Sequence, residues 1–265
     1  MSDAAVPLPA DIRWMNALAG LLFAGVAALA LASLGAFIAR QPMFALRAVQ
    51  VEGDIVRNSV STIRANALPQ LQGNFFSLDL ARAQRAFEAV PWVRHAVVRR
   101  IWPNRLAVRL EEHRPAALWQ AADGSERLVN SEGEVFDANL GDVEDEALPT
   151  LEGPPGTAAA MLALYRRLAP ALEPLEARVE TLRLSGRGSW QAQLDSGAAL
   201  ELGRGGEDEL LARTERFVRT LPQVTARFQR PLAHADLRHA DGYALRLKGV
   251  TTTTTAEADA PHRHR

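Results

Sequence analysis

The sequence predicts an α+β protein held by a single N-terminal transmembrane helix, with a βααββ module first and a mixed sheet domain with packed helices after it. Three observations predict this. An uncharged stretch runs from Trp14 to Ala39, the remaining body breaks into short apolar alternations of period two and longer ones of period 3.6, and the charge balance changes sign near Pro115.

The stretch from residue 14 to 39 exceeds the ~20 residues that a helix needs to cross a hydrocarbon core. Its Ala, Leu and Gly content lets one helix satisfy its own backbone groups in lipid. A buried helix of a soluble fold would be broken by polar residues within a few turns, and a surface-lying helix would show a charged face; neither pattern occurs. Ala30-Leu31-Ala32 offers a small-x-small cleavage site, yet the apolar run continues through Leu34, Phe37 and Ile38. An uncleaved anchor is therefore expected rather than a removed signal peptide. Residues 1–13 then form a short cytoplasmic leader. Arg13 precedes the span whereas Arg40 and Arg47 follow it, so charge alone does not orient the chain; a large C-terminal body is translocated largely regardless of that count.

The body of about 200 residues fits one large domain or two small ones. The 265 residues are 48% hydrophobic, enough for packed cores, and include no cysteine, which excludes disulfides, thiolate metal sites and thiol catalysis. The net charge of −1 conceals an alternation. Phe44 to Pro115 carries 11 arginines against 6 acids, Ala116 to Gly203 carries 6 against 15, and Arg204 to Gly249 carries 9 basic residues against 6 acidic ones. Such blocks mark separate modules with distinct faces.

In the first module, residues 44–115, Val49 and Val51 alternate with Gln50 and Glu52 as in a strand closed by Gly53. Asn58 is a candidate cap for a short helix carrying Val60, Ile63 and Ala67, ending before Pro69 because a residue that precedes proline disfavours the helical region. Asp79 caps a second helix, with Leu80, Ala83, Phe87 and Val90 on one stripe before Pro91. Two strands follow, from Trp92 to Trp102 and from Arg105 to Glu111, joined at Pro103-Asn104; in the latter Leu106, Val108 and Leu110 alternate with Arg105, Ala107 and Arg109.

The second module, residues 116–249, opens with short strands at Ala117-Leu-Trp and Leu128 to Phe136 around turns at Asp123-Gly124 and Glu132-Gly133. After an acidic, proline-punctuated loop, a helix from Ala158 to about Ala169 faces Met161, Leu164 and Leu168 inward, and Pro170 is expected to end it. Leu182, Leu184, Trp190, Ala192 and Leu194 lead into Asp195-Ser-Gly197, and Leu200 and Leu202 return. A helix from Glu207 carries Leu210, Thr214, Phe217 and Leu221 inward. Asp236-Leu-Arg238, a turn at Asp241-Gly242 and a strand from Tyr243 to Lys248 complete the domain. Residues 250–265 lack periodicity and are expected to be a disordered tail.

No constellation for catalysis emerges. Leu202-Gly-Arg-Gly-Gly206 before a helix resembles a phosphate cradle, but Glu207-Asp-Glu209 would repel phosphate and instead complements the helix dipole. The histidines lack a metal-ligand spacing, and neither a nucleophile elbow nor a Ser-x-x-Lys pair is present. Neither cofactor nor small-molecule substrate is expected. Arg94, Arg99, Arg100, Arg105 and Arg109 cluster on adjacent strands without interleaved aromatics, which fits a solvated sheet face better than a nucleic-acid platform, with a contact to anionic headgroups near the anchor as the secondary reading.

The set of motifs Val49-Gln-Val-Glu-Gly53, Asn74-Phe-Phe-Ser-Leu-Asp79, Val90-Pro-Trp-Val93, Ala96-Val-Val-Arg-Arg-Ile-Trp-Pro-Asn-Arg-Leu106, Val108-Arg-Leu-Glu-Glu-His-Arg-Pro-Ala-Ala117, Leu128 to Phe136 and Leu202-Gly-Arg-Gly205 resembles the FtsQ/DivIB family of bacterial cell-division proteins. The resemblance implies a POTRA domain at 44–115 and an FtsQ-type β domain at 116–249, both periplasmic, on a type II inner-membrane anchor enriched at the septum. It implies a non-catalytic divisome scaffold that binds FtsB, itself paired with FtsL, with other division proteins meeting the POTRA domain. Partner residues are then expected at Arg204, Arg238, His239, Tyr243, Ala244, Leu245, Arg246, Leu247 and Lys248. The family often has tyrosine where this chain has His239 and tryptophan where it has Leu247. The alternative, a POTRA-bearing polypeptide chaperone or translocation component, predicts tandem repeats or a barrel, and the sequence shows neither.

Overall fold

The structure, a computed structural model, describes residues 10–53, 55–239 and 242–249. Helix α1 runs Ala10–Ala39, and within it the stretch Trp14–Ala39 is apolar enough to cross a membrane and wholly unburied by protein. The described chain divides into two units, one ending at Glu112 and the other beginning at His113.

The first unit after the helix consists of β1 (Ala48–Glu52), α2 (Val60–Ala67), α3 (Leu80–Glu88), β2 (Val93–Ile101) and β3 (Arg105–Glu112). The sheet order is β1-β3-β2, with β1 parallel to β3 and β2 antiparallel to it. Parallel β1 needs a crossover, and α2 and α3 provide it. Ile63, Ala67, Phe87, Val90, Val93, Ala96, Val108 and Leu110 form the core against them. Asp79 caps α3 as expected, its carboxylate accepting from the N–H groups of Ala81 and Arg82. The cap of α2 is Ser59 rather than Asn58: the Ser59 hydroxyl accepts from the Thr62 N–H at 3.0 Å. Asn58 is drawn off instead, donating through Nδ2 to the Pro91 carbonyl at 2.7 Å. Glu112 organises the approach to that helix by accepting from the N–H groups of Val56, Arg57 and Asn58 at 2.8, 3.0 and 2.9 Å. Ala107, expected on the polar face of β3, is buried because β3 is the middle strand.

The second unit contains β4 (Pro115–Gln120), β5 (Glu126–Asn130), β6 (Val135–Phe136), β7 (Thr150–Glu152), α4 (Ala158–Leu172), β8 (Val179–Leu184), β9 (Trp190–Leu194), β10 (Ala199–Gly203), α5 (Glu207–Phe228), β11 (Leu232–Asp236) and β12 (Ala244–Leu247). Among the described residues they form one sheet in the order β12-β11-β10-β9-β8-β7-β4-β5-β6. The two helices pack over a core that includes Met161, Leu164, Leu168, Leu182, Leu200, Leu210 and Phe217. β7 was not legible in the acidic loop, because three residues are too few to show a period. Leu128 to Phe136 is two strands, separated at a turn where Gly133 has φ +84° and a side chain would meet Ala159 of α4.

Pro170 does not end α4, which continues to Leu172. A proline in the last turn sacrifices a single backbone bond, and Leu172, 1% exposed, is held in the core. Likewise α5 continues through Pro222 to Phe228. The expected disordered tail, most of the leader, and Asp241 of the expected turn lie outside the described residues.

Candidate functional site

β12 is an end strand. It pairs antiparallel with β11 (Leu232↔Leu247, His234↔Arg246, Ala235↔Leu245, Asp236↔Ala244), and no described strand lies on its other side. The Lys248 N–H donates to the Pro231 carbonyl at 2.9 Å. Alternate N–H groups of an extended strand point the same way, so Ala244 and Arg246 spend theirs on β11 while Leu245 and Leu247 direct theirs to the open edge. At the opposite end of the sheet β6 has only two residues, a length that gives an incoming strand little to pair with.

The side chains of β12 divide by face. Tyr243 and Leu245 pack against the core and Leu247 is buried. The Tyr243 ring meets Phe217 of α5 edge-on at 5.3 Å, and its hydroxyl shares a 2.5 Å hydrogen bond with the Thr220 hydroxyl. Tyr243 thus ties the edge strand to the helix behind it. Ala244, Arg246 and Lys248 are exposed on the other face, and the Lys248 ammonium donates to the Ser196 carbonyl at 3.0 Å, fixing the strand's end to the β9–β10 turn.

Arg238 follows the end of β11 and folds back on Asp236, donating from Nε and Nη2 to its two carboxylate oxygens at 2.8 and 2.6 Å. These bonds hold the Asp236 carboxyl well below the ordinary range, at about 2, against the opposing effect of burial. The guanidinium is pre-oriented but open, with a side chain 59% exposed. Its stem lies across Gly203, which sits at φ +83° and where a β-carbon would come within 2.7 Å of the Arg238 Cγ. Gly203 is therefore required both by conformation and by the close approach.

The neighbouring loop is held by Arg213 of α5, which donates to the carbonyls of Leu202 and Arg204 at 3.0 and 2.8 Å and pairs with Glu209. Arg204 itself is exposed, and among the described residues its side chain has no carboxylate partner. Arg204 thus follows directly the glycine that the Arg238 stem crosses, and exposed His239 is next in sequence to Arg238. Asp236, Arg213 and Thr220, which position this surface, were missed from sequence; only the Asp-Leu-Arg spacing offered a signal, as an Asx turn.

The helix start after this loop is not an anion site: Glu207 and Asp208 pair with Arg167 at 3.1 and 2.7 Å. Among the described residues no group of three or more His, Asp or Glu could hold a metal.

A family model described as POTRA domain, FtsQ-type, matches residues 44–113, and another described as Cell division protein FtsQ/DivIB, C-terminal, matches residues 117–238. The chain belongs to the FtsQ/DivIB family. Proteins named Cell division protein FtsQ agree: those of Thiomonas arsenitoxydans and Burkholderia pseudomallei are each 41% identical, over 92% and 93% of this chain and 90% and 97% of their own. That of Bordetella pertussis is 40% identical over 89% of this chain and 92% of its own. As an FtsQ/DivIB protein the chain is a non-catalytic divisome scaffold, anchored in the inner membrane by α1 with its POTRA and C-terminal units in the periplasm.

Proposed function

We propose that the open edge of β12 receives a strand of FtsB, itself paired with FtsL, so that this protein links early division proteins to septal peptidoglycan synthesis. The observation that carries this reading is the unpaired edge, with the Leu245 and Leu247 N–H groups directed outward, while exposed Arg238 and Arg204 follow β11 and β10 at the end of the sheet where β12 begins. Backbone pairing along β12 supplies affinity. Arg204 and Arg238 supply selectivity for acidic partner residues, and exposed Ala244, Arg246 and Lys248 contact the added strand on the outer face. Tyr243 and Leu247 act from behind, by holding the edge in place. Arginine and lysine on an edge also discourage indiscriminate pairing, so the same two side chains favour an acidic strand over others.

The test titrates the periplasmic segment of FtsB into the intact protein in detergent. A proline at Leu245 removes an outward donor, and Arg204→Glu with Arg238→Glu reverses the local charge while leaving the core intact. Both variants are expected to weaken binding at least tenfold with folding verified by circular dichroism. Parent-like affinity in folded variants places the FtsB site elsewhere.

A further inference from the structure

Three segments of the first unit converge on the end of the membrane helix. The Asn74 side chain donates to the Ala39 carbonyl, the last residue of α1, at 2.7 Å. The Phe75 N–H donates to the Phe44 carbonyl at 2.9 Å, and the Phe76 ring packs edge-on against Phe44 at 4.8 Å. From the β2–β3 turn, the Asn104 side chain donates to the Met43 carbonyl at 3.4 Å and its carbonyl accepts from the Arg47 N–H at 3.0 Å. This convergence exposes Met43, Phe76 and Trp102, at 56%, 52% and 73% of their surfaces. Isolated exposed apolar residues are ordinary; three on separate segments tied to one helix end form a patch.

The same segments are basic. Residues 40–47, 73–78 and 100–105 contain Arg40, Arg47, Arg100 and Arg105 and no acidic residue. Arg100 donates to the Leu78 carbonyl at 2.6 Å. Arg40, Arg47 and Arg105 are exposed and have no carboxylate partner among the described residues.

The length of the helix sets the height of this patch. Its 26 apolar residues span about 39 Å at a 1.5 Å rise. That exceeds the ~30 Å hydrocarbon layer and approaches the ~40–45 Å that includes both headgroup regions. Met43 lies four residues beyond Ala39, no more than about 14 Å even when extended, and the Trp102 turn is bonded to Met43. We propose that Met43, Phe76 and Trp102 insert into the periplasmic headgroup layer while Arg40, Arg47 and Arg105 bind anionic phospholipid, giving the POTRA domain a second membrane contact beside its anchor. Tryptophan and arginine suit that interface, the first by its amphipathic ring and the second by its charge. This surface lies in the first unit and does not depend on the β12 reading.

The absence of cysteine makes a clean test possible. Single cysteines at Phe76 and, separately, at Trp102 carry a nitroxide label on the full chain reconstituted in vesicles of phosphatidylethanolamine and phosphatidylglycerol. Val56→Cys is the control: Val56 is 87% exposed but bonded to Glu112, opposite Val93 at the far end of the β2–β3 hairpin, about 27 Å from the turn at 3.4 Å per residue. The expected result is lipid-like accessibility at 76 and 102, oxygen favoured over an aqueous nickel chelate, and aqueous accessibility at 56. Arg40→Gln with Arg105→Gln should lower the inserted fraction of the label at 76 roughly fivefold per arginine, with the loss absent in phosphatidylcholine vesicles. Labels at 76 and 102 as aqueous as that at 56 overturn the proposal. So does protection from both relaxants, which would indicate a protein contact instead.

Discussion

Replacing Asp236 by asparagine isolates the clamp that orients Arg238. The carboxylate accepts two guanidinium bonds and the Arg238 N–H at 3.1 Å, and its pKa falls from 3.8 to about 2. At ~1.4 kcal/mol per unit that displacement alone would amount to somewhat over 2 kcal/mol. The Arg238 side chain is 59% exposed, so solvent screening reduces the expected contribution to about 1 kcal/mol. The folded pKa lies below the unfolded one, so this stabilisation is complete above about pH 4 and disappears as pH falls through 2. Chemical denaturation of parent and Asp236→Asn should therefore differ by about 1 kcal/mol near neutrality and converge in acid. A carbon-detected NMR titration should place the Asp236 midpoint near 2. A midpoint at the ordinary 3.8, or an asparagine variant as stable as the parent at neutral pH, would refute the reasoning. Released from its clamp, Arg238 should also bind an acidic strand less well, because more rotamers must then be frozen on association.

Two further outcomes are expected. Glu112→Ala removes the acceptor of three N–H groups on residues 56–58, those of Arg57 and Asn58 part-buried, and should cost the first unit about 1–3 kcal/mol, read as earlier melting of the POTRA amide signals while those of the second unit are unchanged. Phe217→Ala removes a fully buried ring under Tyr243, with a loss of about 3–5 kcal/mol, and faster hydrogen exchange should appear at Leu245 and Leu247 of β12 before the rest of the sheet.

Most elements of both units were legible because their cores are periodic: Leu80, Ala83 and Phe87, or Leu210, Phe217 and Leu221, mark one helix face each, whereas β7 and β11 were not legible. Helix ends were less legible. Asn58 and Ser59 are both good caps, and only the tertiary bonds of Asn58 to Pro91 and Glu112 decide between them. Pro170 reads as a stop, yet burial of Leu172 outweighs one lost backbone bond. For the candidate site, the two-face alternation of Tyr243 to Lys248 is written in the sequence. The spending of alternate N–H groups is not, since it depends on the register with β11. Nor could spacing reveal that Tyr243 reaches Thr220, or that Gly203 is needed because Arg238 crosses it.

Strand order in the C-terminal sheet also dictates a schedule. β10 and β11 are parallel, so β11 can be laid down only after the 22-residue α5 has crossed behind them. β12 follows it. While the chain is still emerging into the periplasm, the growing sheet exposes in turn β8, β9 and β10, edges lined with leucine, of which β8 carries the single cation Arg183 and β9 and β10 carry none. A strand that captured one of these would halt assembly with the last third of the sheet unmade. Arg246 and Lys248 arrive only when β12 arrives, so the edge proposed to receive FtsB is finished last, and on that proposal a nascent scaffold recruits only once its own sheet is built.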